Sequence, residues 1–439
     1  MKKYLLLIIL LFVATSYFQA QEVFDLKRCV EIGLLKNYDI RITRNNQEIS
    51  DNNMTIGNAG YLPTVDLNTG YSGSVNNTNQ NLRDGNKNKD SGVHNQLLNA
   101  GVNLNWTVFD GFYIQANHDK LKELQQVGEL NTRLTIENFI ADLTAEYYNY
   151  IQQNLHLKNL QSAVKLSKER FRITEARYEI GAGSRLDMQQ ARVDLNSDSS
   201  RLIKQYEVLY TSRTALNEMM ATDNVEQMLV AADTMITFNK LINRDEIWAK
   251  TMSNNTFLLL SDKNKNISLY DLKMAQSENY PYLRLNAGYG YTRNIYDTGT
   301  ISNQRNLGFT YGVTVGFNLF SGFNRKRKQR NAKITIENRQ LELEQTALSI
   351  RADLSNIWMA YRNNIELVNL EKENLETAHE THNIAIERYK LGDLSGIELR
   401  EAQNSLLEVE ERLVQAEYST KLCEISLMQI SGQILLYSE

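Results

Sequence analysis

The sequence predicts a mainly α-helical chain carrying a small set of membrane-type β-strands, built as two copies of one unit. Three observations predict it. The 439 residues contain only two prolines, Pro63 and Pro281, where average usage would give roughly twenty. Proline breaks helix interiors and populates loops, so most of the chain reads as long, uninterrupted helix. Residue patterns also recur at a constant offset, and within each copy the apolar spacing changes from period two to a helical period. Composition narrows the class further. With 42% hydrophobic and 23% charged residues the chain is not disordered, and a net charge of −4 gives no global attraction for nucleic acid. Two cysteines exclude a disulfide scaffold, and no Cys/His spacing suggests zinc.

The N-terminus reads as a signal peptide over residues 1–20. Lys2 and Lys3 precede an unbroken apolar run from Leu5 to Val13, and Gln19-Ala20-Gln21 offers a cleavage site after Ala20. Phe18 is a poor fit two positions earlier, which leaves the bond open. The run is shorter than the ~20 residues that span a bilayer. Cys29 lies too far downstream, after Lys27-Arg28, for lipid attachment. No later stretch approaches eighteen consecutive apolar residues, so any entry into a membrane is by strands.

The duplication organises the rest. Phe109-Asp110-Gly111 matches Phe320-Ser321-Gly322, an offset of 211. The same offset carries Ala141-Asp142-Leu143 onto Ala352-Asp353-Leu354 and Tyr150 onto Tyr361. It also carries Arg177-Tyr178-x-x-Gly181-x-x-Ser184 onto Arg388-Tyr389-x-x-Gly392-x-x-Ser395. Tyr61-Leu62-Pro63 and Asn279-Tyr280-Pro281 pair at 218, so the first copy is seven residues longer before its Phe-x-Gly. A period of this length marks a duplicated domain-sized unit rather than a solenoid. The expected division is a first repeat over 21–223, an irregular join over 224–239, a second repeat over 240–433 and a tail over 434–439.

Each proline opens a strand. Val65, Leu67 and Tyr71 alternate, then Val102, Leu104, Trp106 and Val108; the second copy has Leu283 to Tyr291 and Leu307 to Leu319. Period two over about ten residues rich in Tyr, Phe and Val reads as strand. The connections, Asn76–Asn99 and Thr292–Asn306, are polar and read as loops. After each Phe-x-Gly the period becomes helical. Ala402, Leu406, Val409, Leu413, Ala416, Thr420, Cys423, Leu427 and Ile430 alternate spacings of four and three, a coiled-coil seam. Leu343 to Val368 repeats it on the preceding helix. From Gly111 to Ile180 and from Gly322 to Leu391 no proline interrupts, enough for helices of about 105 Å each at 1.5 Å per residue. Gly181 and Gly392 then reverse the chain.

Strands of ten residues suit a tilted crossing of an outer membrane. A membrane sheet must close, because lipid cannot satisfy open edges. Four strands cannot close alone; two chains give eight with a filled interior, and three give twelve around a lumen. An exported coiled-coil scaffold with soluble hairpins fits the same elements without a membrane. An enzyme would need a catalytic constellation that the sequence does not display.

The duplicated Tyr-x-Pro strand entry, the Phe-x-Gly strand exit and the Tyr-x-x-Gly-x-x-Ser-x-x-Asp/Glu turn resemble the TolC-type outer-membrane efflux family over about residues 22–433. The resemblance implies a homotrimer with a twelve-stranded β-barrel in outer-membrane lipid, four strands per chain, continuous with a long periplasmic α-helical barrel. It implies an exit duct for an efflux pump or type I secretion system, working with a periplasmic adaptor and an inner-membrane transporter of RND or ABC type. Nothing in it calls for a cofactor, a metal or nucleic acid. By position, Glu398 and Glu401 correspond to the acidic rings of the periplasmic gate, and Asp187 and Tyr389 to residues linking neighbouring helices across it. Gly181, Ser184, Gly392 and Ser395 correspond to adaptor-docking tips, and Pro63 and Pro281 to strand entry. Leu394 departs from the basic residue often found there. Read without the resemblance, the two glutamates are solvated helix-start residues favoured by the macrodipole. The basic run Arg325–Lys333 suits anionic headgroups or a solvated face. His379-Glu380-Thr381-His382 reads as exposed helix surface, and Cys423 as a seam thiol that could pair with Cys29.

Overall fold

The computed structural model describes residues 23–81, 83 and 85–435. The expected signal peptide and the last four residues of the expected tail lie outside them. In chain order the elements are β1 (Val23–Phe24), α1 (Leu26–Lys36), α2 (Tyr38–Asn53), α3 (Ile56–Ala59), β2 (Thr64–Asn81), β3 (Lys87–Phe109), α4 (Tyr113–Glu179) and α5 (Arg185–Met219). There follow β4 (Val230–Ala231), α6 (Arg244–Asn254), α7 (Thr256–Ser277), β5 (Tyr282–Tyr296), β6 (Asn303–Gly316), α8 (Asn324–Leu391) and α9 (Gly396–Ile430). The chain divides into two compact units. One comprises Asn46–Glu129 and Leu260–Leu343; the other comprises the chain up to Asn45, Leu130–Leu259 and Glu344 onward.

The first unit contains a four-stranded antiparallel sheet in the order β2-β3-β5-β6. Period-two spacing and register together sort its side chains. Val65 and Leu67 sit opposite Leu104 and Val102. Val102, Leu104 and Trp106 sit opposite Tyr289, Ala287 and Leu285, and these in turn opposite Phe309, Tyr311 and Val313. One face is therefore apolar across all four strands, and it is left uncovered: Leu67 is 75% exposed and Tyr311 81%. The other face carries amides and glycines. Three Gly–Asn pairs lie directly across from each other, Gly70 with Asn99, Gly288 with Asn103 and Gly312 with Asn286. A Cβ on any of these glycines would lie within 2.8 Å of the asparagine's side-chain oxygen, so the missing side chain is what lets each amide lie flat across its neighbour.

The first hairpin extends further than its hydropathy suggests. Residues 76–99, expected as a loop, are mostly paired strand, with the ladder reaching Asn81 opposite Lys87. Asn, Ser, Gln and Lys on both faces erase the alternation while the backbone still pairs. The second connection shrinks to residues 297–302 for the same reason. Conversely β6 ends at Gly316, because β5 begins at Tyr282, the partner of Gly316; Phe317 and Leu319 continue the pattern unpaired. Pro63 and Pro281 each stand immediately before the first residue of a strand, β2 and β5, where a missing N–H is tolerated.

Both strand-to-helix corners adopt the same unusual backbone. Gly111 and Phe112 have φ of 71° each, and Gly322 and Phe323 have 61° and 62°. Left-handed phenylalanine is disfavoured by its Cβ. Each is held by an edge-to-face ring pair, Phe109–Phe112 at 5.2 Å and Phe320–Phe323 at 5.4 Å. The duplication is thus legible in dihedral angles as well as in residues.

The second unit is helical, apart from β1 and β4, which pair in parallel. Two-residue strands leave no periodicity, and the sequence did not announce them. The main core gathers Cys29, Val30 and Ile40 from α1 and α2, Ile140 to Ile151 from α4, Leu216 from α5 and Ile425 from α9. Of the α9 seam, Leu406, Val409, Leu413, Ala416, Thr420 and Leu427 are buried, while Ala402, Cys423 and Ile430 are only partly so. Gln403, Val414, Lys421, Glu424 and Ile425 are buried beside it, because α9 packs on two sides. The segment between α5 and α6 is pinned at two points by one duplicated tyrosine: the Tyr150 hydroxyl donates to Leu229 O at 2.6 Å, and its counterpart Tyr361 donates to Asn239 O. The two cysteines are free; burial, with Asp25 next, pushes the Cys29 thiol up to about 12.

A steric test separates the corner from the helix turn. Gly111→Ala adds to the ~1–2 kcal/mol left-handed penalty a clash with Ser277 O, 2.3 Å from the new Cβ. Gly181→Ala, also at positive φ but with nothing within 4 Å, incurs the backbone penalty alone. Thermal unfolding followed by circular dichroism should show the larger loss for Gly111→Ala; equal midpoints would refute the steric reading of the corner.

Candidate functional site at the helix turns

Residues 180–184 join α4 to α5, and 392–395 join α8 to α9; both turns lie in the helical unit. The two solve the reversal identically. Gly181 N–H donates to Tyr178 O and Ala182 N–H to Arg177 O; Gly392 and Asp393 do the same to Tyr389 and Arg388. This pairing satisfies the last helical carbonyls and requires a left-handed residue, which Gly181 (φ 76°) and Gly392 (φ 85°) supply. Ser184 and Ser395 then cap the outgoing helices, accepting from Asp187 N at 3.0 Å and Glu398 N at 3.2 Å. These four residues are therefore required by the turn itself.

Asp187 and Glu398 are counterparts under the duplication, and they behave differently. The longer Glu398 side chain folds back to accept from Ser395 N at 2.9 Å and from the Ser395 hydroxyl at 2.8 Å, completing a capping box. Those two bonds hold its carboxyl below the usual range, so it is anionic throughout the neutral range. The Asp187 side chain is exposed and accepts no hydrogen bond among the described residues. Glu401 is exposed one turn beyond Glu398 and shares its face by i,i+3 spacing. Its counterpart is Gln190, so the carboxylate pair exists in the second repeat only.

Tyr389 is 4% exposed, packed with Ala385 and Leu399 and against Ile173 and Leu394. Its counterpart Tyr178 is 40% exposed. Burial raises the Tyr389 phenol pKa, partly offset by Arg177 and Arg170, while Asp187 adds to the rise. No hydrogen bond joins Asp187 to Tyr389 within the chain among the described residues. Leu394 fills an apolar position here, where a basic side chain would have needed a partner.

The strongest polar links between the turns were missed by sequence reasoning. Arg177 donates to Tyr389 O at 2.8 Å and Lys390 O at 3.3 Å, with its guanidinium 4.9 Å from the Tyr389 ring centre. Its counterpart Arg388 turns instead to Asp393 in its own loop. Two turns up, Arg400 of α9 grips Asp198 of α5 through both carboxylate oxygens, at 2.6 and 2.8 Å. Ser167 of α4 donates to the same carboxylate, and Arg170 pairs with Asp194 beside it. Asp198, Ser167 and Arg170 are at most 4% exposed. Burial opposes the Asp198 charge, but the Arg400 and Ser167 bonds prevail and hold its pKa below the usual value. Between the turns lies a groove of about 980 Å³ whose lining includes Arg170, Arg177, Asp187, Tyr389, Arg400 and Glu401. Arg400 stands between Glu398 and Glu401 in sequence, yet 100° per residue turns it to the inner face. Only a structure pairs it with Asp198, whose counterpart is Val409.

Two other expectations need correction or placement. His382, read as exposed, is 4% exposed, because it continues the buried spacing Ala378, His382, Ala385, Tyr389 on α8; His379 remains on the surface. Among the described residues no three His, Cys, Asp or Glu side chains are placed to hold a metal ion.

Truncating one member of a buried ion pair strands the other, at about 3–5 kcal/mol. Asp198→Ala should therefore destabilise the helical unit by roughly that amount, and Asp198→Ala with Arg400→Leu by clearly less; equal losses would deny the pairing. The pH sign follows from the depressed Asp198 pKa. Its contribution is complete above the unfolded value near 3.9 and is lost as pH falls through the lower folded value. Wild-type stability should fall more steeply than that of the double variant only below about pH 4.

The chain matches the outer membrane efflux protein family over residues 31–222 and again over 252–433, the two halves of the duplication. It is 21% identical over 335 residues to outer membrane efflux protein BepC of Brucella suis biovar 1, covering 76% of this chain and 72% of that one. It is 20% identical over 386 residues to outer membrane protein TolC of Vibrio cholerae, covering 87% and 84%. Among solved structures, the outer-membrane channel OprN shares its fold with a TM-score of 0.78 at 18% identity, covering 93% of this chain and 90% of that one. Extending over both repeats, the match makes the chain a member of the outer membrane efflux protein family, resident in the outer membrane with a periplasmic extension.

Proposed function

We propose that the protein is the passive exit duct of a tripartite efflux or type I secretion assembly, working as a homotrimer whose periplasmic entrance is gated at the helix turns. The observation that carries this reading is the sheet: one face apolar and exposed across four strands, the other lined with amides, and both outer strands, β2 and β6, open at their edges. In lipid such edges must pair. Three copies joining β6 to β2 would make twelve strands, with the amide face turned to a water-filled lumen.

Threefold repetition would turn Glu398 and Glu401 into two stacked rings of carboxylates. A ring of like charge at a constriction attracts cations and is plugged by multivalent ones. Asp187, exposed and unpaired in the single chain, is free to meet the neighbouring chain near Tyr389. The Arg400–Asp198 and Arg177–Tyr389 links would hold the two hairpins of each chain together in the closed state. The tips around Gly181, Ser184, Gly392 and Ser395 would receive a periplasmic adaptor, which couples the duct to an inner-membrane transporter of RND or ABC type.

The gate is tested by Glu398→Gln with Glu401→Gln, which removes both charges while keeping the glutamine-compatible capping box. In planar-bilayer recordings the concentration of divalent cation needed for half-block should rise about tenfold, the equivalent of ~1.4 kcal/mol of lost attraction. Unchanged block would remove these residues from the entrance.

A further inference from the structure

The duplication supplies an internal control for one feature that the duct reading leaves unused. Both strand-to-helix corners share the same left-handed backbone and the same edge-to-face phenylalanine pair. Their following helices differ in charge. After Phe323, α8 presents Lys326, Arg327, Arg330 and Lys333, all exposed. The positions matching them after Phe112 are Gln115, Ala116, Asp119 and Lys122, with no net charge. The corner therefore folds without the basic cluster, and the cluster is not explained by the fold.

Nor is it explained by internal pairing. The flanking cations are engaged: Arg325 donates to Glu278 O and Leu319 O, and Lys328 pairs with the Glu278 carboxylate. Lys326, Arg330 and Lys333 have no ion-pair partner among the described residues, and Arg327 reaches only the Asn324 amide. Spacings of four and three place Lys326, Arg330 and Lys333 on one side of the helix. Four like charges within eight residues repel one another unless an anion lies nearby. Directly before them, past the end of β6, the corner carries exposed aromatics, with Phe320 at 70% and Phe323 at 69%. Aromatic side chains ending a membrane strand mark the hydrocarbon–headgroup boundary, and basic residues just beyond it face the headgroups.

We propose that Lys326, Arg327, Arg330 and Lys333 form a binding surface for anionic phospholipid headgroups of the periplasm-facing leaflet, which the chain carries at its second corner only. The surface anchors the rim of the sheet at a set depth, with Phe320 and Phe323 in the boundary and the cations at phosphate level. This rests on the outer-membrane duct reading for its orientation. A free phosphate would share the chemistry, but the neighbouring exposed aromatics favour a ligand with acyl chains.

The test uses the purified full-length protein in neutral detergent, titrated with phosphatidylglycerol or phosphatidylcholine, with bound lipid counted by native mass spectrometry. The wild type should retain phosphatidylglycerol about tenfold better, with the preference weakening as salt screens it. The variant K326Q/R327Q/R330Q/K333Q should bind both lipids alike, and the charge-preserving K326R/R327K/R330K/K333R should keep the preference. A preference that survives charge removal, or is absent from the wild type, overturns the inference; so does full competition by millimolar inorganic phosphate, which assigns the surface to a free anion. Single-channel conductance of the neutralised variant should match wild type, whereas absent conductance in both proteins would count against the duct reading and not against lipid binding.

Discussion

A backbone N–H or C=O in hydrocarbon has no water to bond with, and the outer edges of β2 and β6 are rows of such groups. This constraint governs the rest of the molecule. It makes a four-stranded sheet incomplete by itself and selects strands that alternate between a lipid face and an amide face. Among the described residues no helix is long and apolar enough to cross a membrane. The amide face shows how the sheet answers on its inner side. Glycines opposite Asn99, Asn103 and Asn286 leave polar groups lying flat along the surface. The result is a polar face with little side-chain bulk.

The duplication shows which features the architecture demands and which are adapted. Where both copies agree, at the paired left-handed corners, the glycine-ended helices and the serine caps, the backbone had one workable solution and both copies use it. Where they disagree, function has the freedom to act. Tyr389 is buried where Tyr178 is exposed; Glu401 replaces Gln190; Arg177 bridges to the other hairpin while Arg388 serves its own loop. The repeats have divided the roles at the turns, the carboxylate pair and the buried tyrosine falling to the second and the bridging Arg177 with the buried Asp198 to the first. The basic cluster after the second corner is a further divergence.

The fold was legible to the extent that it obeys a period. Strands β5 and β6, the long helices and the α9 seam follow from spacing, and the prolines stand at strand entries because a residue without an N–H is tolerated there. What escaped had no period or broke one. The Asn-rich halves of β2 and β3 pair through backbone alone, and β1 and β4 are two residues each. His382 continues a buried spacing with a polar side chain, so it reads as surface though it is buried. At the turns, the family resemblance pointed to Glu398, Glu401, Asp187 and Tyr389, and the structure places all four around the two turns. It could not point to Arg400 with Asp198, because that pair joins different repeats at positions that are not counterparts. Ion pairs across a tertiary gap leave no local mark.

The two readings of Glu398, helix cap and gate charge, are not rivals. Its bonds to the Ser395 backbone and hydroxyl hold the carboxyl below the usual range, so the cap favours the charged form that the proposed gate requires. Six like charges brought together raise one another's pKa, and a ring that neutralised itself would no longer hold cations. In the proposed ring, capping would oppose that tendency at Glu398. Asp187, a methylene shorter, accepts no bond from its serine, which in the proposed trimer would leave its carboxylate available to a neighbouring chain. The difference of one CH₂ between counterpart residues thus separates a carboxylate engaged by its own helix cap from one left exposed.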